Sequence, residues 1–247
     1  MAKCNKIVDY KHSISFIVPA HNETAELPAT LRSIRQAAEA IECEYEIIVV
    51  DDASTDGTAE LARSLGARVI SISRRQIAAA RNAGARAAAN DVLVFIDADT
   101  HIAPHHVSGV LASLQRGDAG GGARVSVGGR VPPWARIGIS LFSFVYFGMS
   151  FGAGAFLFTT RRNFFAIRGF DERYFAGEEI FFTFAVRKLG RFTLLETPVI
   201  TSGRKLRLYS PGKLARQIAI LLLSGPRGIT SRRKLELWYG GAREERL

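Results

Sequence analysis

The segment VLVFIDADT, residues 92–100, decides how we interpret the rest of the chain. Its first five residues are apolar and largely β-favouring, and they lead into Asp97 and Asp99, which stand one residue apart. This pattern predicts a buried strand that ends in two carboxylates. In an open α/β sheet, ligands bind outside the carboxyl ends of the strands, and carboxylate oxygens there suit Mg²⁺ or Mn²⁺ holding a phosphate. On this segment alone, the alternative that either aspartate only caps a turn stays open.

Strands and helices alternate around this segment. Apolar runs bounded by turn residues predict strands at residues 14–18, 46–50, 68–73 and 92–96. Amphipathic or alanine-rich segments predict helices at residues 27–41, 59–65, 76–89 and 104–115. We expect Pro19 to end the first strand and Gly66 to end the second helix. The alternation is typical of an α/β fold with a mainly parallel sheet and helices on both faces.

The second half of the chain does not continue this alternation. The glycine-rich segment GDAGGGARVSVGG, residues 117–129, is interpreted as a loop that enters a strand. The elements predicted after it are an aromatic-rich helix at 134–147, strands at 155–160 and 192–195, a turn at 168–171 and a helix at 178–189.

The composition favours one domain with an anionic partner. The 247 residues are 47% hydrophobic, which is enough for a substantial core. Lys and Arg number 33 against 23 Asp and Glu, and the net charge of +10 favours phosphate-bearing ligands, an anionic membrane or nucleic acid. Aromatic and basic residues do not alternate as a base-stacking platform requires, so we expect no nucleic-acid partner.

Cysteine usage and hydropathy predict a cytoplasmic protein. Cys4 and Cys43 are the only cysteines and lack CxxC spacing, and the opening residues lack the apolar core of a signal peptide. Residues 137–160 are uncharged and long enough to span a bilayer, but glycines and serines lower their apolarity, so we expect no span. The amphipathic and basic segments in residues 211–247 either pack on the domain or contact the inner face of an anionic membrane peripherally.

Polar or acidic residues follow three predicted strands, in segments 19–23, 51–52 and 97–99. A parallel sheet brings such segments to one edge. Carboxylates there can accept hydrogen bonds from a base or a ribose, and the last can hold a metal against a diphosphate. The loop after the first strand contains no glycine, so neither GxGxxG nor a Walker A loop is in place. The residues therefore indicate a nucleotide-diphosphate site built from acids.

Five segments occur in the order and spacing of a known family. They are IVPAHNE (17–23), IIVVDDASTDGT (47–58), AAARNAG (78–84), FIDADT (95–100) and RGFDERYFAGEE (168–179). Over residues 13–191 the chain resembles the family 2 glycosyltransferases, inverting enzymes of the GT-A type that use nucleotide-sugar donors. The resemblance implies a single GT-A (Rossmann-like) domain, 1–247, with a mainly parallel sheet flanked by helices. Residues 13–103 would form the nucleotide-sugar-binding half, 104–210 the acceptor-side half, and 211–247 basic and amphipathic C-terminal helices.

The resemblance also implies roles for individual residues. The donor site would comprise Pro19, Ala20, Asn22, Glu23, Asp51, Arg81, Asn82, Asp97 and Ala98, with Asp97 on the ribose side. Asp99, the last acid of a DxD motif, would bind Mg²⁺ or Mn²⁺. Some relatives place a metal-binding histidine late in the chain, and here Arg204 could offset the diphosphate charge instead. The alternatives are a helix-surface ion pair for Arg81, a solvated basic loop for Arg204, and turn or helix capping for Asp52, Asp56 and Thr58, which we prefer for Asp56 and Thr58.

The sequence Gly177-Glu178-Glu179 stands where the family usually has Glu-Asp after glycine. An inverting transfer needs a carboxylate to take the acceptor hydroxyl proton, so we expect Glu179 to be the base and Glu178 to support it. The alternative is that the helix dipole favours both acids in its first turn. The nearby Phe181, Phe182 and Phe184 are expected in the core, or at the border of an apolar or lipid-linked acceptor.

These observations give two functional hypotheses. The first is an inverting, divalent-metal-dependent glycosyltransferase, hexosyltransferase-like, that moves a sugar from a nucleotide-diphosphate donor to the hydroxyl of a lipid-linked or saccharide acceptor. The second is a non-catalytic nucleotide-binding or membrane-surface interaction protein with the same fold.

Overall fold

The computed structural model describes residues 13–128, 152–203 and 230. Its strands are β1 (Ser13–Ala20), β2 (Glu44–Asp52), β3 (Arg68–Ile72), β4 (Val92–Ile96), β5 (Thr100–His101), β6 (Gly120–Gly128), β7 (Phe156–Thr160) and β8 (Phe192–Ser202). Its helices are α1 (Leu27–Glu39), α2 (Thr58–Ser64), α3 (Ile77–Ala87), α4 (Pro104–Gln115), α5 (Arg161–Ala166) and α6 (Glu178–Arg187). Up to α4, the elements predicted from the sequence are observed with bounds shifted by at most two residues, and the two-residue strand β5 was not predicted.

The described strands form one sheet in the order β3-β2-β1-β4-β7-β6-β8-β5. Strands β3, β2, β1 and β4 are parallel to their neighbours in this group. Strand β7 is antiparallel to β4 and β6, β8 is parallel to β6, and β5 is antiparallel to β8. The sheet is therefore parallel where strands and helices alternate and mixed beyond, and the predicted α/β fold is confirmed.

Strand β1 lies inside the sheet and contributes to a hydrophobic cluster on each face. Ile14, Phe16 and Val18 belong to the cluster that includes α1 and α4, whereas Ile17 belongs to the cluster that includes α3 and Phe182 of α6. A period of two with apolar residues on both faces is that of a strand buried between helices. Because helices cover both faces of the sheet, polar groups of the central strands lie mainly at the strand ends.

Pro19 does not end β1, contrary to the prediction. The strand continues to Ala20, and Pro19 pairs with Val50 of β2. Pairing with β4 has already stopped at Ile17, so Pro19 lies where β1 has a neighbour on one side only. A residue without a backbone N–H is tolerated at such a position.

The glycine-rich segment, predicted as a loop that enters a strand, contains strand β6, which starts earlier than expected, at Gly120. A Cβ on Gly120 would lie 2.6 Å from the Phe158 carbonyl oxygen, and one on Gly121 would collide with Phe158 and with the Thr193 carbonyl. The glycines are therefore needed for the close approach of β6 to β7 and β8, not for a turn. The strand predicted at 192–195 also continues, to Ser202.

Several predicted features lie outside the described residues. They are the helix at 134–147, Arg204, and residues 211–247 apart from Thr230. Within the parts of the chain that are described, no helix is long and apolar enough to cross a membrane. The division into nucleotide-binding and acceptor-side halves stays a prediction.

Candidate active site

The carboxyl ends of β1, β2 and β4 lie side by side at one edge of the sheet. Ala20 pairs with Asp51, and Ile17 pairs with Phe95, two residues before Asp97. This register brings the predicted segments 19–23, 51–52 and 97–99 together. We call these three strand ends and the loops that follow them the donor-side edge.

Asp51 and Asp52 are adjacent and buried in β2, but their carboxylates have different surroundings. Asp52 accepts hydrogen bonds from the backbone N–H groups of residues 74–76 at 2.6–2.7 Å. Oδ1 of Asp51 is buried without a hydrogen-bond partner in the described part of the chain, and the residue is 7% exposed. A buried carboxylate oxygen without a donor suits an N–H group of a ligand, whereas Asp52 fixes the loop that leads into α3.

The loop after β1 is hydrogen-bonded to the loop after β2. The side chain of Asn22 accepts a hydrogen bond from the Thr55 N–H at 2.8 Å, and the Asn22 N–H donates to Ser54 Oγ at 3.0 Å. The Glu23 N–H donates to Thr58 Oγ1 at 2.9 Å. These contacts hold Asn22 and Glu23 at the donor-side edge, and direct contacts between these residues and a donor stay predictions.

Asp56 lies directly before Gly57, the N-cap residue of α2, and its side chain fixes the turn at the start of the helix, in line with the turn or capping role preferred from the sequence. Its Oδ1 accepts from the Thr58 N–H at 3.0 Å, and its Oδ2 accepts from the N–H and hydroxyl of Thr24 at 3.2 and 2.9 Å. Burial works to raise the pKa of Asp56, but the hydrogen bonds from Thr58 and Thr24 outweigh it and lower the pKa. Asp56 and Thr58 therefore have a structural role.

The turn after β4 is fixed by hydrogen bonds from neighbouring elements. The Asp97 N–H donates to the Ala155 carbonyl at 3.2 Å, and the Ala98 carbonyl accepts from the Thr30 hydroxyl at 2.8 Å. These backbone contacts leave the Asp97 carboxylate partly buried at the strand end.

Asp99 lies beside the end of β8. Its carbonyl accepts from the Ser202 N–H at 3.1 Å, and its Oδ1 accepts from the Thr201 hydroxyl at 3.2 Å. No three His, Cys, Asp or Glu side chains are grouped as a complete metal site within residues 13–128 and 152–203. Magnesium-type ions are commonly held by one or two carboxylates together with substrate phosphates and water. The carboxylate of Asp99 fits a divalent ion shared with a diphosphate.

Arg81 joins the donor-side edge to the acid pair at the start of α6. Its Nη2 donates to Asp97 Oδ1 at 2.9 Å and to the Gly154 carbonyl at 2.8 Å, and its Nη1 donates to Glu178 Oε1 at 2.7 Å. The guanidinium also lies over the ring of Phe170, 5.2 Å from its centroid. Arg81 is 1% exposed, so the predicted alternative of a helix-surface ion pair is wrong in its location. A direct contact between Arg81 and the donor stays a prediction.

The charges of this network are mutually dependent. Burial works to lower the pKa of Arg81, but the carboxylates of Asp97, Glu178 and Glu179 outweigh it and raise the pKa. Burial raises the pKa of Glu178, against the effect of Arg81. Burial also raises the pKa of Glu179 to about 8, and the Glu178 carboxylate adds to the effect. The result is a high-affinity proton acceptor beside a permanent cation.

Asn82 attaches the segment RGFDERYFAGEE, residues 168–179, to α3. Its Oδ1 accepts from the Phe170 N–H at 2.9 Å, and its Nδ2 donates to the Phe170 carbonyl at 2.9 Å and to Glu172 Oε1 at 3.0 Å. A Cβ on Gly169, where φ is +73°, would lie 2.6 Å from the Asn82 oxygen. We call residues 168–179 the acid-bearing segment. The amide of Asn82 contacts this segment, and its predicted contact with a donor stays a prediction.

Gln76, which the sequence did not single out, makes a second attachment. Its Nε2 donates to the carbonyls of Glu172 and Tyr174 at 2.5 and 3.3 Å. The residue lies directly before α3 and has no motif of its own, so only its contacts with Asp52 and with the acid-bearing segment indicate a role. Helix α3 and the residue directly before it therefore hold the acid-bearing segment through three side chains.

The acid pair begins α6, where Gly177 has a φ of +74°. Glu178 is buried and Glu179 is partly buried. The Thr183 hydroxyl donates to the carbonyl of Glu179 at 2.8 Å. The N-terminal N–H groups of the helix carry partial positive charge and work to lower the pKa of both acids, but burial outweighs them. Both acids therefore lie in the first turn of α6. Glu178 is hydrogen-bonded to Arg81, and Glu179 is close enough for the charge of Arg81 to affect its pKa.

The aromatic residues of α6 differ in exposure. Phe182 is buried and stacks on Phe170 with 4.3 Å between ring centroids, which confirms its core position. Phe181 is partly buried and stacks on Tyr174 at 3.9 Å. Phe184 is 48% exposed, so its predicted core position is wrong, because α6 turns this residue away from the sheet.

Sequence comparison identifies a family that covers most of the chain. The profile described as Glycosyl transferase family 2 matches residues 15–195. The fold is similar to the crystal structure of glucosyl-3-phosphoglycerate synthase from Mycobacterium tuberculosis in complex with Mn²⁺, UDP and phosphoglyceric acid. The TM-score is 0.58 at 24% identity, over 86% of this chain and 78% of that one.

Two curated proteins are similar over part of their length. The chain is 39% identical over 101 residues to the 4,4'-diaponeurosporenoate glycosyltransferase of Staphylococcus haemolyticus, covering 38% of this chain and 26% of that protein. It is 30% identical over 111 residues to the undecaprenyl-phosphate 4-deoxy-4-formamido-L-arabinose transferase of Aeromonas hydrophila subsp. hydrophila, covering 42% and 34%. The aligned regions thus span about a third or less of these two relatives.

Proposed function

The chain belongs to glycosyl transferase family 2, and on that basis we propose that it moves a sugar, with inversion, from a nucleotide-diphosphate donor to an acceptor hydroxyl. The observation that supports this most is the network in which Arg81 contacts both Asp97 and Glu178. It joins a carboxylate of the donor-side edge to an acid pair suited to proton transfer. Strand-end acids beside a base are what this reaction requires.

For the donor, we assign the base to Asp51 and the ribose to Asp97. The unpartnered Oδ1 of Asp51 suits a ring N–H of a base, and the partly buried carboxylate of Asp97 suits ribose hydroxyls. Pro19, Ala20 and Ala98 would border the nucleotide through backbone and apolar surface. The similar synthase from Mycobacterium tuberculosis was crystallised with UDP, which supports a nucleotide at this edge.

For the metal, we assign Asp99 as the protein ligand of Mg²⁺ or Mn²⁺. The bound ion would supply positive charge to the departing diphosphate. Its remaining ligands would be phosphate oxygens and water, because the described residues provide no complete protein cage. Arg204, two residues after Ser202, would add a second positive charge.

For the chemical step, we assign Glu179 as the base. Its carboxylate takes the proton from the acceptor hydroxyl while that oxygen bonds to the anomeric carbon and the bond to the diphosphate oxygen breaks. The raised pKa of Glu179, about 8, favours proton uptake from a hydroxyl. Glu178, held by Arg81, would keep α6 in place during the reaction.

For the acceptor, we favour a lipid-linked or otherwise apolar molecule over a free saccharide. Phe184 is exposed on the helix that begins with the acid pair, and an exposed aromatic ring suits an apolar ligand. The Aeromonas relative is by name an undecaprenyl-phosphate transferase, which supports the same class. A cytoplasmic location and peripheral contact with an anionic membrane stay predictions.

The test is transfer from a panel of UDP- and GDP-sugars, assayed with Mn²⁺, with Mg²⁺ and with a chelator. We expect metal-dependent turnover of at least one donor, and about a 10²–10⁴-fold loss in both Asp99→Ala and Glu179→Gln. Transfer at the wild-type rate in both variants, with unfolding curves like the wild type, would contradict these assignments. Nucleotide binding without turnover of any donor would support the alternative, a non-catalytic nucleotide-binding protein.

A further inference from the structure

Arg81 lies between two segments that are far apart in the chain. Asp97 follows it by 16 residues and Glu178 by 97, and one guanidinium contacts both carboxylates. The first carboxylate is part of the donor-side edge, and the second begins the helix that carries Glu179.

The geometry of this contact is specific to arginine. The guanidinium is a planar fork whose two terminal nitrogens point to different acceptors, whereas the ammonium of lysine is a single point charge. The Gly154 carbonyl fixes one arm of the fork from a third direction, and a Cβ on Gly154 would lie 3.2 Å from Nη2. Both terminal nitrogens of the Arg81 side chain therefore have acceptors in this position.

Burial makes this position rigid. Arg81 is 1% exposed and Glu178 is 4% exposed, so water screens their attraction little. Phe170, whose backbone is attached to Asn82, covers the guanidinium with its ring. Phe170 thus contacts both the ion pair, through its ring, and α3, through its backbone.

We propose that Arg81 is a positioning residue that holds Glu178 at a set distance from Asp97 and thereby places the Glu179 carboxylate against the acceptor hydroxyl. This inference rests on the proposed function of the same site. Arg81 acts on the base through Glu178 and the first turn of α6. Its replacement therefore changes the rate of the chemical step more than the affinity for the donor.

The decisive variant is Arg81→Lys, which keeps the charge but not the fork. We expect kcat for transfer to fall about 10–100-fold while the donor KM changes less than about threefold, because a displacement of about 1 Å at the reacting groups has effects of this size. Arg173→Lys is the matched control, since Arg173 lies on the acid-bearing segment with a side chain 79% exposed and pairs with Asp171 at the surface. We expect it to transfer at the wild-type rate.

A double variant separates positioning from an independent effect. In Arg81→Lys, the further change Glu178→Gln is expected to add less than about twofold, because residues in one network are not additive. Losses that multiply, a loss confined to the donor KM, or wild-type kcat in Arg81→Lys would each overturn the proposal.

Amide hydrogen exchange decides the matter independently of turnover. We expect residues 177–180 to exchange faster in Arg81→Lys than in Arg173→Lys. Equal exchange in the two variants would overturn the proposal. Failure of the wild-type protein to transfer from any donor would instead count against the proposed function, and the exchange comparison would still stand.

Discussion

The donor-side edge and the acid-bearing segment are both held by polar contacts, but the partners differ. At the donor-side edge, loops that follow neighbouring strands bond to one another, as Asn22 does to Ser54 and Thr55. The acid-bearing segment is held by Arg81 and Asn82 of α3 and by Gln76, which directly precedes this helix. The first arrangement follows from strand order, whereas the second requires that α3 and a distant segment already be packed together.

The largest effect on stability is expected at the donor-side edge. Asp52→Ala should lower the free energy of unfolding by about 3–5 kcal/mol, because the N–H groups of residues 74–76, of which that of Gln76 is buried, lose a shared charged acceptor. Urea denaturation measures this loss. Asp51→Asn is the matched control: it should change stability by less than about 1 kcal/mol and reduce nucleotide affinity instead. Equal losses of stability in the two variants would contradict the assignment of a structural role to Asp52 and a ligand-binding role to Asp51.

A smaller loss of stability, with a change in rate, is expected at the acid-bearing segment. Asn82→Ala removes three hydrogen bonds and should lower the free energy of unfolding by about 2–3 kcal/mol. It should also lower kcat, since the segment carries the acids, and steady-state kinetics test this. Asn90→Ala is a suitable control, because the Asn90 side chain makes no hydrogen bond in the described part of the chain. A stability loss with unchanged kcat would show that this attachment does not place the acids.

The pH dependence of both rate and stability should come from Glu179. Its pKa is raised from 4.5 to about 8, so the rate should rise about tenfold per pH unit below that value and level off above it. The folded state holds this proton more tightly than the unfolded chain, so the stabilising contribution is complete below pH 4.5 and is lost as the pH rises through about 8.

Glu178, Arg81 and Asp97 influence this titration, and Glu179→Gln is the reference. Unfolding curves across this range should fall more steeply for the wild type than for Glu179→Gln. If stability depended on pH equally in the two proteins, the group that titrates would not be Glu179.

The smallest effect is expected at the turn before α2. Asp56→Ala should lower the free energy of unfolding by about 1 kcal/mol, the usual cost of losing a helix cap. Thermal denaturation measures it, and the rate of transfer should not change. A marked loss of activity would mean that Asp56 contributes more to the donor-side edge than its contacts indicate.

The features that the sequence predicted correctly are those decided over short stretches of chain. The apolar run before Asp97 predicted β4 with the observed bounds, and Pro104 predicted the start of α4. Asp56 and Thr58 were assigned to capping because acid, glycine and threonine stand next to a helical pattern. Convergence of the strand ends followed from alternating strands and helices.

The features that the sequence did not predict depend on contacts between distant segments. Nothing near Arg81 shows that it is buried, because its partners come from the turn after β4, from the loop before β7, and from α6. Gln76 and Asp52 had no pattern that distinguishes an anchor from an ordinary polar residue. The exposure of Phe184 depends on which face of α6 meets the sheet. Because Phe181, Phe182 and Phe184 are all aromatic, the sequence did not show which of them face the core.

The close packing of β6 limits which mutations this chain can accept. Interior strands usually tolerate exchange among apolar residues, but at Gly120, Gly121 and Gly122 even one methyl group would meet a backbone carbonyl of β7 or β8. In a library of variants with every position substituted, we expect no replacement to be accepted at Gly120, Gly121 or Gly122. Strand β4, which leads into Asp97, would accept replacement by other apolar residues. Strand β8 pairs with β6, and its Thr201 contacts Asp99. Substitutions in β6 would therefore be detected as a loss of activity, although β6 contributes no residue to the proposed site.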